Sequence, residues 1–518
     1  MLHLVSTSML TVCLSIPLLA QDPVMSVLGT FRTGSYNTGA AEIAAHDPQT
    51  QRLFVVNGAD RVIDILDMRN PMNMTRIGRI TFTAEIGAAA NSVAVKNGIV
   101  AVAVEANPKT DPGSVAFYNA EGRLLKSLKV GALPDMVTFS PDGKKVLVAN
   151  EGEPSDDYKI DPEGSISVID ISRGIEALTQ ADVKTAGFSA FTKENLPVGV
   201  RAFGPGASIA QDMEPEYITV SPDSKTAYVT VQEANAIAIV DIETAKVTKL
   251  VPLGLKPHYL PENSLDVSDR DNSFDMRTWT IWGMYMPDAI ASYVAADGKL
   301  YLLTANEGDS RDYPGYSEVA RVGAANVRLD PRFYPNEAEL KLPSELGRLN
   351  ITTATGDTDG DGDIDMLHVF GARSFSIWDS TAAMVYDSKN DFERIQRTDY
   401  IGLYNLTHTS NTLDDRSDDK GPEPESITTG VIRSRTYAFI GNERLGNIMI
   451  YDVTDPKSVR FSSQWWNRNP TAATNTAAAG DLGPEGILFI AASDSPNGQP
   501  LLVVANEISG TTTVWQVN

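Results

Sequence analysis

The stretch "DMVTFSPDGKKVLVANEGEP", Asp135 to Pro154, sets two short apolar runs on either side of a turn. Between "MVTF" and "KVLVA" stands Ser-Pro-Asp-Gly, where Pro presets φ and Gly tolerates a positive φ. This pattern predicts an antiparallel hairpin. An acid, Asp135, opens it and an Asn-Glu pair, Asn150-Glu151, closes it. A third apolar run, "SISVIDI", follows from Ser165.

Working outward, the unit recurs. Glu216 leads "YITV", "SPDSK" and "TAYVTV", which end at Gln232-Glu233 before "AIAIVDI". Asp288 leads a hairpin ending at Asn306-Glu307, with its third run, "RSFSIWD", much later. Glu425 and Glu485 lead units ending at Asn442-Glu443 and Asn506-Glu507. Two weaker units open the chain: Glu42 to Asn57, with Gly58 in the Glu slot, and Asn91 to Glu105. Helical periodicity is scarce. Seven such units predict an all-β, seven-bladed β-propeller of YVTN or WD40 type; two packed β-sandwiches are the alternative. Long segments rich in Asp, Gly, Pro and Ser (154–162, 183–215, 253–287, 308–365, 380–424) are expected to decorate one face. "MSVLGTF", Met25 to Phe31, is expected to pair with the C-terminal strand and close the ring, removing exposed edges.

The net charge of −24 over 518 residues argues against nucleic acid and anionic membrane as partners. Residues 1–20, "MLHLVSTSMLTVCLSIPLLA", read as a secretory signal, which leaves 21–518 as a single propeller domain. Cys13 is the only cysteine, so disulfides, thiolate nucleophiles and cysteine metal sites are excluded from the mature chain. No later apolar run reaches membrane-span length, and "TTTVWQVN" reads as a strand. A secreted monomer, extracellular or periplasmic, is expected.

In each unit the leading acid and the Asn-Glu pair lie symmetrically about the turn, so the hairpin returns them to one end. The acids Asp135, Glu216, Asp288, Glu425 and Glu485 are thus expected to ring one channel mouth. Glu151, Glu233, Glu307, Glu443 and Glu507 would sit one strand further out, with Glu105 joining them. Carboxylates so crowded repel unless a cation, a proton or an Arg intervenes. The same residues could instead only cap exposed backbone N–H groups. A divalent metal at the mouth is one expectation, with Glu307 and the basic residues Arg311, Arg373 and Arg416 as catalytic candidates holding phosphate or carbonate. Lys420 and Arg444 lie near them in sequence, and plain charge compensation explains all five equally.

"DTDGDGDID" places Asp357, Asp359 and Asp361 at positions 1, 3 and 5 of a calcium loop, with Asp363 between and Asp365 at position 9. Ca²⁺ is the expected cofactor. His368 stands where a bidentate Glu would close the site, and "MLHVF" continues as a strand. No Walker loop, dinucleotide fingerprint, HExxH or GxSxG occurs.

At "ANEGEPSDDYKIDPEGSISVIDI", "FGPGASIAQDMEPEYI", "MPDAIASY", "TANEGDSRDY", "GDTDGDGDIDMLHVFGARSFSIWD", "KGPEPESI" and "DLGPEGILFIAASDSPNGQPLLVVANEISGTTTV" the sequence resembles the choice-of-anchor I proteins. That family is related to the mesenchyme-specific cell-surface glycoproteins of biomineralising animals. The resemblance implies an extracellular, calcium-associated seven-bladed propeller that binds a surface or matrix. Relatives are often labelled alkaline phosphatase, which implies the alternative of a metal-dependent phosphoric ester hydrolase.

Overall fold

The protein is described by a computed structural model over residues 22–518; the predicted signal and Cys13 lie outside the described residues. The fold is all-β. Four-stranded antiparallel sheets dominate, and seven of the sheets have that form. In the third, Pro134–Phe139, Lys145–Asn150, Ser165–Asp170 and Val183–Gly187 pair in chain order. The seventh takes Pro484–Ile490, Leu501–Asn506 and Thr511–Val517, and then Met25–Arg32 from the other end of the chain. The expected pairing of the two ends is therefore present, from Met25↔Val517 to Arg32↔Thr511.

The first strands of successive sheets pack side by side. The last of them, Pro484–Ile490, packs against the first, Ala44–Asp47, so the series closes on itself. Between neighbouring sheets lie apolar layers, such as Phe54, Ile63, Val102 and Tyr118 between the first and second. The inner three strands are apolar on both faces because a sheet covers each side. The fourth strands differ: Thr75–Ile80 and Lys246–Pro252 are largely exposed and carry Arg, Thr and Lys. They carry no apolar run, and only three strands per unit are evident from the sequence.

The Asn of each Asn-Glu pair is a staple. Asn150 is wholly buried, and its Nδ2 donates to Ser165 O at 3.1 Å and Ser167 Oγ at 3.0 Å on the neighbouring strand. Asn306 does the same to Ser374 Oγ and Ser376 Oγ at 3.2 and 2.9 Å. Asn442 reaches Asn447 Oδ1 at 2.9 Å, and Asn506 reaches Thr511 O at 3.2 Å. A buried amide with partners fixed on the third strand locks the register there.

First strands begin, second strands end and third strands begin at one edge of the sheets, and the longest insertions (188–214, 253–289, 306–374 and 388–423) spring from that edge. Residues 306–374 interrupt the fifth sheet between its second and third strands and form small sheets of their own. Buried arginines tie these insertions together. Arg201 pairs with Glu318, and Arg311 pairs with Asp212 and with Glu214 at 3.1 Å. Arg373 donates to Asp266 O, Ser417 O, Asp419 O and Glu393 Oε1 within 2.8 Å.

Candidate functional site: a carboxylate-lined mouth

A recurring tripeptide, x-Pro-acid, aims the inner acids. It reads Leu133-Pro134-Asp135, Met286-Pro287-Asp288, Glu423-Pro424-Glu425 and Gly483-Pro484-Glu485. The first residue has φ of +42°, +40°, +51° and +69° respectively. A positive φ at Leu, Met and Glu is uncommon and marks an imposed corner. At Asp135, Glu425 and Glu485 the ladder then slips by one residue, so the acid is the bulged position. A bulge re-aims its side chain, here away from the sheet. The corner also receives the outer Glu: the N–H groups of Glu151, Glu443 and Glu507 donate to Leu133 O, Glu423 O and Gly483 O at 2.8–2.9 Å. Inner acid and outer Glu are thereby held side by side.

These residues surround a cavity of about 300 Å³. From the inner ring come Asp135, Glu216, Asp288, Glu425 and Glu485; from the outer ring come Glu151, Glu307, Glu443 and Glu507. A second cavity of about 220 Å³ shares Asp135, Asp288 and Glu485 with the first and adds Glu42, Asn91 and Tyr217. Glu42, the leading acid of the first unit, thus joins the ring. Glu233 does not line the mouth; it is buried under the insertions, where the charges of Glu214 and Arg311 act on it. Glu105 faces the charges of Lys109 and Arg61.

Burial, reinforced by neighbouring carboxylates, raises the pKa of every mouth acid with a resolved shift. Glu42 and Glu507 are pushed up to about 8 and Asp135 to about 7. Glu151, Glu216, Asp288, Glu425 and Glu485 are held well above the ordinary carboxylate range. Glu443 and Glu507 each bring a carboxylate oxygen within 4.8 Å of the other, and Glu216 and Asp288 line the same cavity. Carboxylates so crowded repel unless a proton or a cation intervenes. Glu216 Oε2 and Glu425 Oε2 are buried with no hydrogen-bond partner.

The candidate cations divide. Arg311 and Arg373 are consumed by the buried contacts above and do not reach the cavity. Arg416 donates to Glu423, and its Nη2 lies 2.7 Å from Asp419. Lys420 and Arg444, by contrast, line the cavity. Lys420 Nζ contacts Glu307 and lies 3.2 Å from Asp309 and 3.3 Å from Glu423. Arg444 lies 2.8 Å from Glu423 and 3.1 Å from Glu443. Glu423 is fully buried; burial opposes its charge, yet Lys420, Arg416 and Arg444 hold its pKa well below the usual value. His408 Nδ1 sits 3.1 Å from Glu443. Sequence reasoning missed Glu423 and Glu214, although each stands two residues before a leading acid in Glu-Pro-Glu.

The aspartate loop is divided. Asp357, Asp359 and Asp361 are exposed, with one oxygen from each gathered within 4.8 Å. Asp363 and Asp365 group instead with Asp330, a residue the loop pattern does not contain. Asp365 Oδ2 accepts from both Thr358 N and Thr358 Oγ1 at 2.6 Å, and Arg332 spans Asp330 and Asp359. A parallel bridge between Leu329 and Ile364 draws the second half of the loop toward Asp330. The donor set of the first half, three hard carboxylates, fits Ca²⁺ completed by water.

The family model of the choice-of-anchor I domain matches residues 42–456. Gigasin-3a of Magallana gigas is 32% identical over 184 residues, 33% of this chain and 64% of its own length. The mesenchyme-specific cell surface glycoprotein of Strongylocentrotus purpuratus is 25% identical over 226 residues, 38% of this chain and 29% of its own length. The chain thus spans less than two thirds of either relative. Among solved structures, the WD40 domain of Toxoplasma gondii coronin matches with a TM-score of 0.47 at 10% identity, covering 96% of this chain and 86% of its own. The Myceliophteria thermophila Cps50 (Swd1) β-propeller domain matches with a TM-score of 0.44 at 9% identity, covering 96% and 100%. Kuenenia stuttgartiensis hydrazine synthase matches with a TM-score of 0.46 at 14% identity, covering 93% and 98%. No helix among the described residues is long and apolar enough to cross a membrane.

Proposed function

Since the chain belongs to the choice-of-anchor I domain family, we propose that it is an extracellular seven-bladed propeller that binds divalent cations, calcium foremost, at its carboxylate mouth. Its four-stranded sheets are the blades, and the bound cation is what it presents to a surface or matrix partner. The observation that carries this reading is the unpaired, buried oxygens of Glu216 and Glu425 within a ring of acids. A buried carboxylate oxygen without a partner is costly, and a cation relieves both that cost and the mutual repulsion. The aspartate loop is a second, exposed calcium site that orders its insertion.

Calorimetric titration of Ca²⁺ into chelator-stripped protein tests this. The triple variant Asp357→Asn, Asp359→Asn, Asp361→Asn should still bind at least one Ca²⁺, which Glu216→Gln with Glu425→Gln should weaken. Loss of all binding in the triple variant would refute the mouth as a site.

A second reading, a metal-dependent phosphoric ester hydrolase, is favoured by Lys420 and Arg444 lining the same cavity as the acids. Two cations beside a carboxylate-held metal would suit an oxyanion. No turnover of phosphomonoesters or diesters by protein loaded with Ca²⁺, Mn²⁺ or Zn²⁺ would eliminate it.

A further inference from the structure

Glu307, Glu425 and Glu443 each bring one carboxylate oxygen within 4.8 Å of the others. They belong to the fifth and sixth sheets: Glu307 and Glu443 follow second strands, and Glu425 is the bulged acid of a first strand. Their existing partners differ. Glu307 accepts from Gln232 Nε2 at 2.8 Å through one oxygen and from Lys420 Nζ through the other. Glu443 is met by Arg444 and His408, each at 3.1 Å. Glu425 is only 8% exposed, lines the cavity, and leaves Oε2 with no partner.

Among the described residues, Lys420 is the cation in contact with Glu307, through Oε1. Its ammonium is tied to Glu307, Asp309 and Glu423, and its side chain is 10% exposed. A primary ammonium and a hard divalent ion compete for the same carboxylate oxygens, and the ion gains more because it engages all three. Asp309, 63% exposed, and Glu423 remain as a place for the ammonium to go.

We propose that Glu307, Glu425 and Glu443 form a hard-cation site for Ca²⁺ or Mn²⁺, and that Lys420 is a tethered counter-ion which the cation must displace from Glu307. This rests on the mouth being the cation site and adds which acids hold the ion and what sets its affinity. The lysine makes binding an exchange of one cation for another, so the cation-free mouth never holds Glu307 uncompensated.

The test uses the full chain carrying the three loop substitutions, so that only the mouth reports Ca²⁺. Glu425→Gln should weaken binding by about tenfold or more, because one of three charged ligands is lost. Lys420→Gln should tighten it by about tenfold or more, because the competitor is gone. Lys109→Gln, the same charge change beside Glu153, controls for general electrostatics and should shift affinity less than threefold. In the unsubstituted protein, amine acylation read by mass spectrometry should label Lys420 at least fivefold faster with saturating Ca²⁺ than with chelator. That measurement needs no variant to fold. Lys420→Gln leaving affinity unchanged or weaker, equal tightening by Lys109→Gln, or labelling indifferent to Ca²⁺ would overturn the displacement. Glu425→Gln without effect would overturn the ligand assignment. Absence of any mouth binding in the parent would instead overturn the proposed function itself.

Discussion

Removing divalent cations should make this protein lose stability as pH rises from 6.5 to 8. An acid whose folded pKa is raised stabilises the fold most below its unfolded pKa, and that contribution is lost as pH climbs through the folded value. Glu42 and Glu507 are held at about 8, so across this window the folded state keeps protons that the unfolded chain has released. Each retained proton is worth about 1.4 kcal/mol per pH unit. The two acids repel each other directly, so they alone contribute between one shared proton and two, about 1.4 to 3 kcal/mol per unit, and the other raised mouth acids add slope of the same sign. For a chain of this size that is a fall of a few °C in Tm per pH unit. Two histidines, His258 and His368, stay out of the window. His258 and His368 are pushed down to about 3 and 4 by burial, so their pH dependence falls below the ordinary histidine value of ~6.5. Asp266 and Asp414, raised to about 7 and 8 by burial away from the mouth, add a slope of the same sign that calcium leaves in place. The assay is differential scanning fluorimetry at half-unit steps, with chelator and with millimolar Ca²⁺. Calcium should flatten the slope by the mouth's share. A Tm that is flat or rising from 6.5 to 8 in chelator, or a slope that calcium leaves unchanged, would refute the reasoning.

Three further outcomes are expected. Asn306→Ala should cost about 1–3 kcal/mol in denaturant unfolding, because Ser374 and Ser376 lose a buried donor, with mouth affinity unchanged. Arg311→Met should cost about 3–5 kcal/mol, since Asp212 and Glu214 are left as buried unpaired charges; denaturation reads this, and an equal loss from Arg416→Met would contradict the burial argument. Asp357→Asn with Asp359→Asn should abolish calcium-dependent hydrogen-exchange protection in residues 356–366 and leave protection around Glu425 intact.

The hairpins were legible because their apolar runs and turns are local, and so was the mouth, because its spacing is symmetric about each turn. What stayed hidden is long-range. Arg311 looks like an anion-binding residue beside Glu307, but its partners Asp212 and Glu214 lie roughly a hundred positions upstream and no local pattern announces them. The two halves of Asn-Glu also do different work. Asn306 turns into the sheet toward Ser376, on a strand 70 residues away in sequence, while Glu307 turns into the cavity. The fourth strands escaped notice because one face is bare to solvent and needs no apolar pattern. The loop acids escaped correct grouping because Asp330, far outside the motif, takes Asp363 and Asp365.

The pairing of Met25–Arg32 with Thr511–Val517 also sets an orientation. Arg32 and Thr511 stand at the mouth edge, and Met25 and Val517 at the opposite one, where Val24 and Asn518 exchange backbone hydrogen bonds of 3.1 and 2.9 Å. Any tether, label or fusion joined at either of these positions leaves from the back of the ring. Immobilised that way, the molecule would turn its carboxylates outward, and both attachment points would present the same face to an approaching surface.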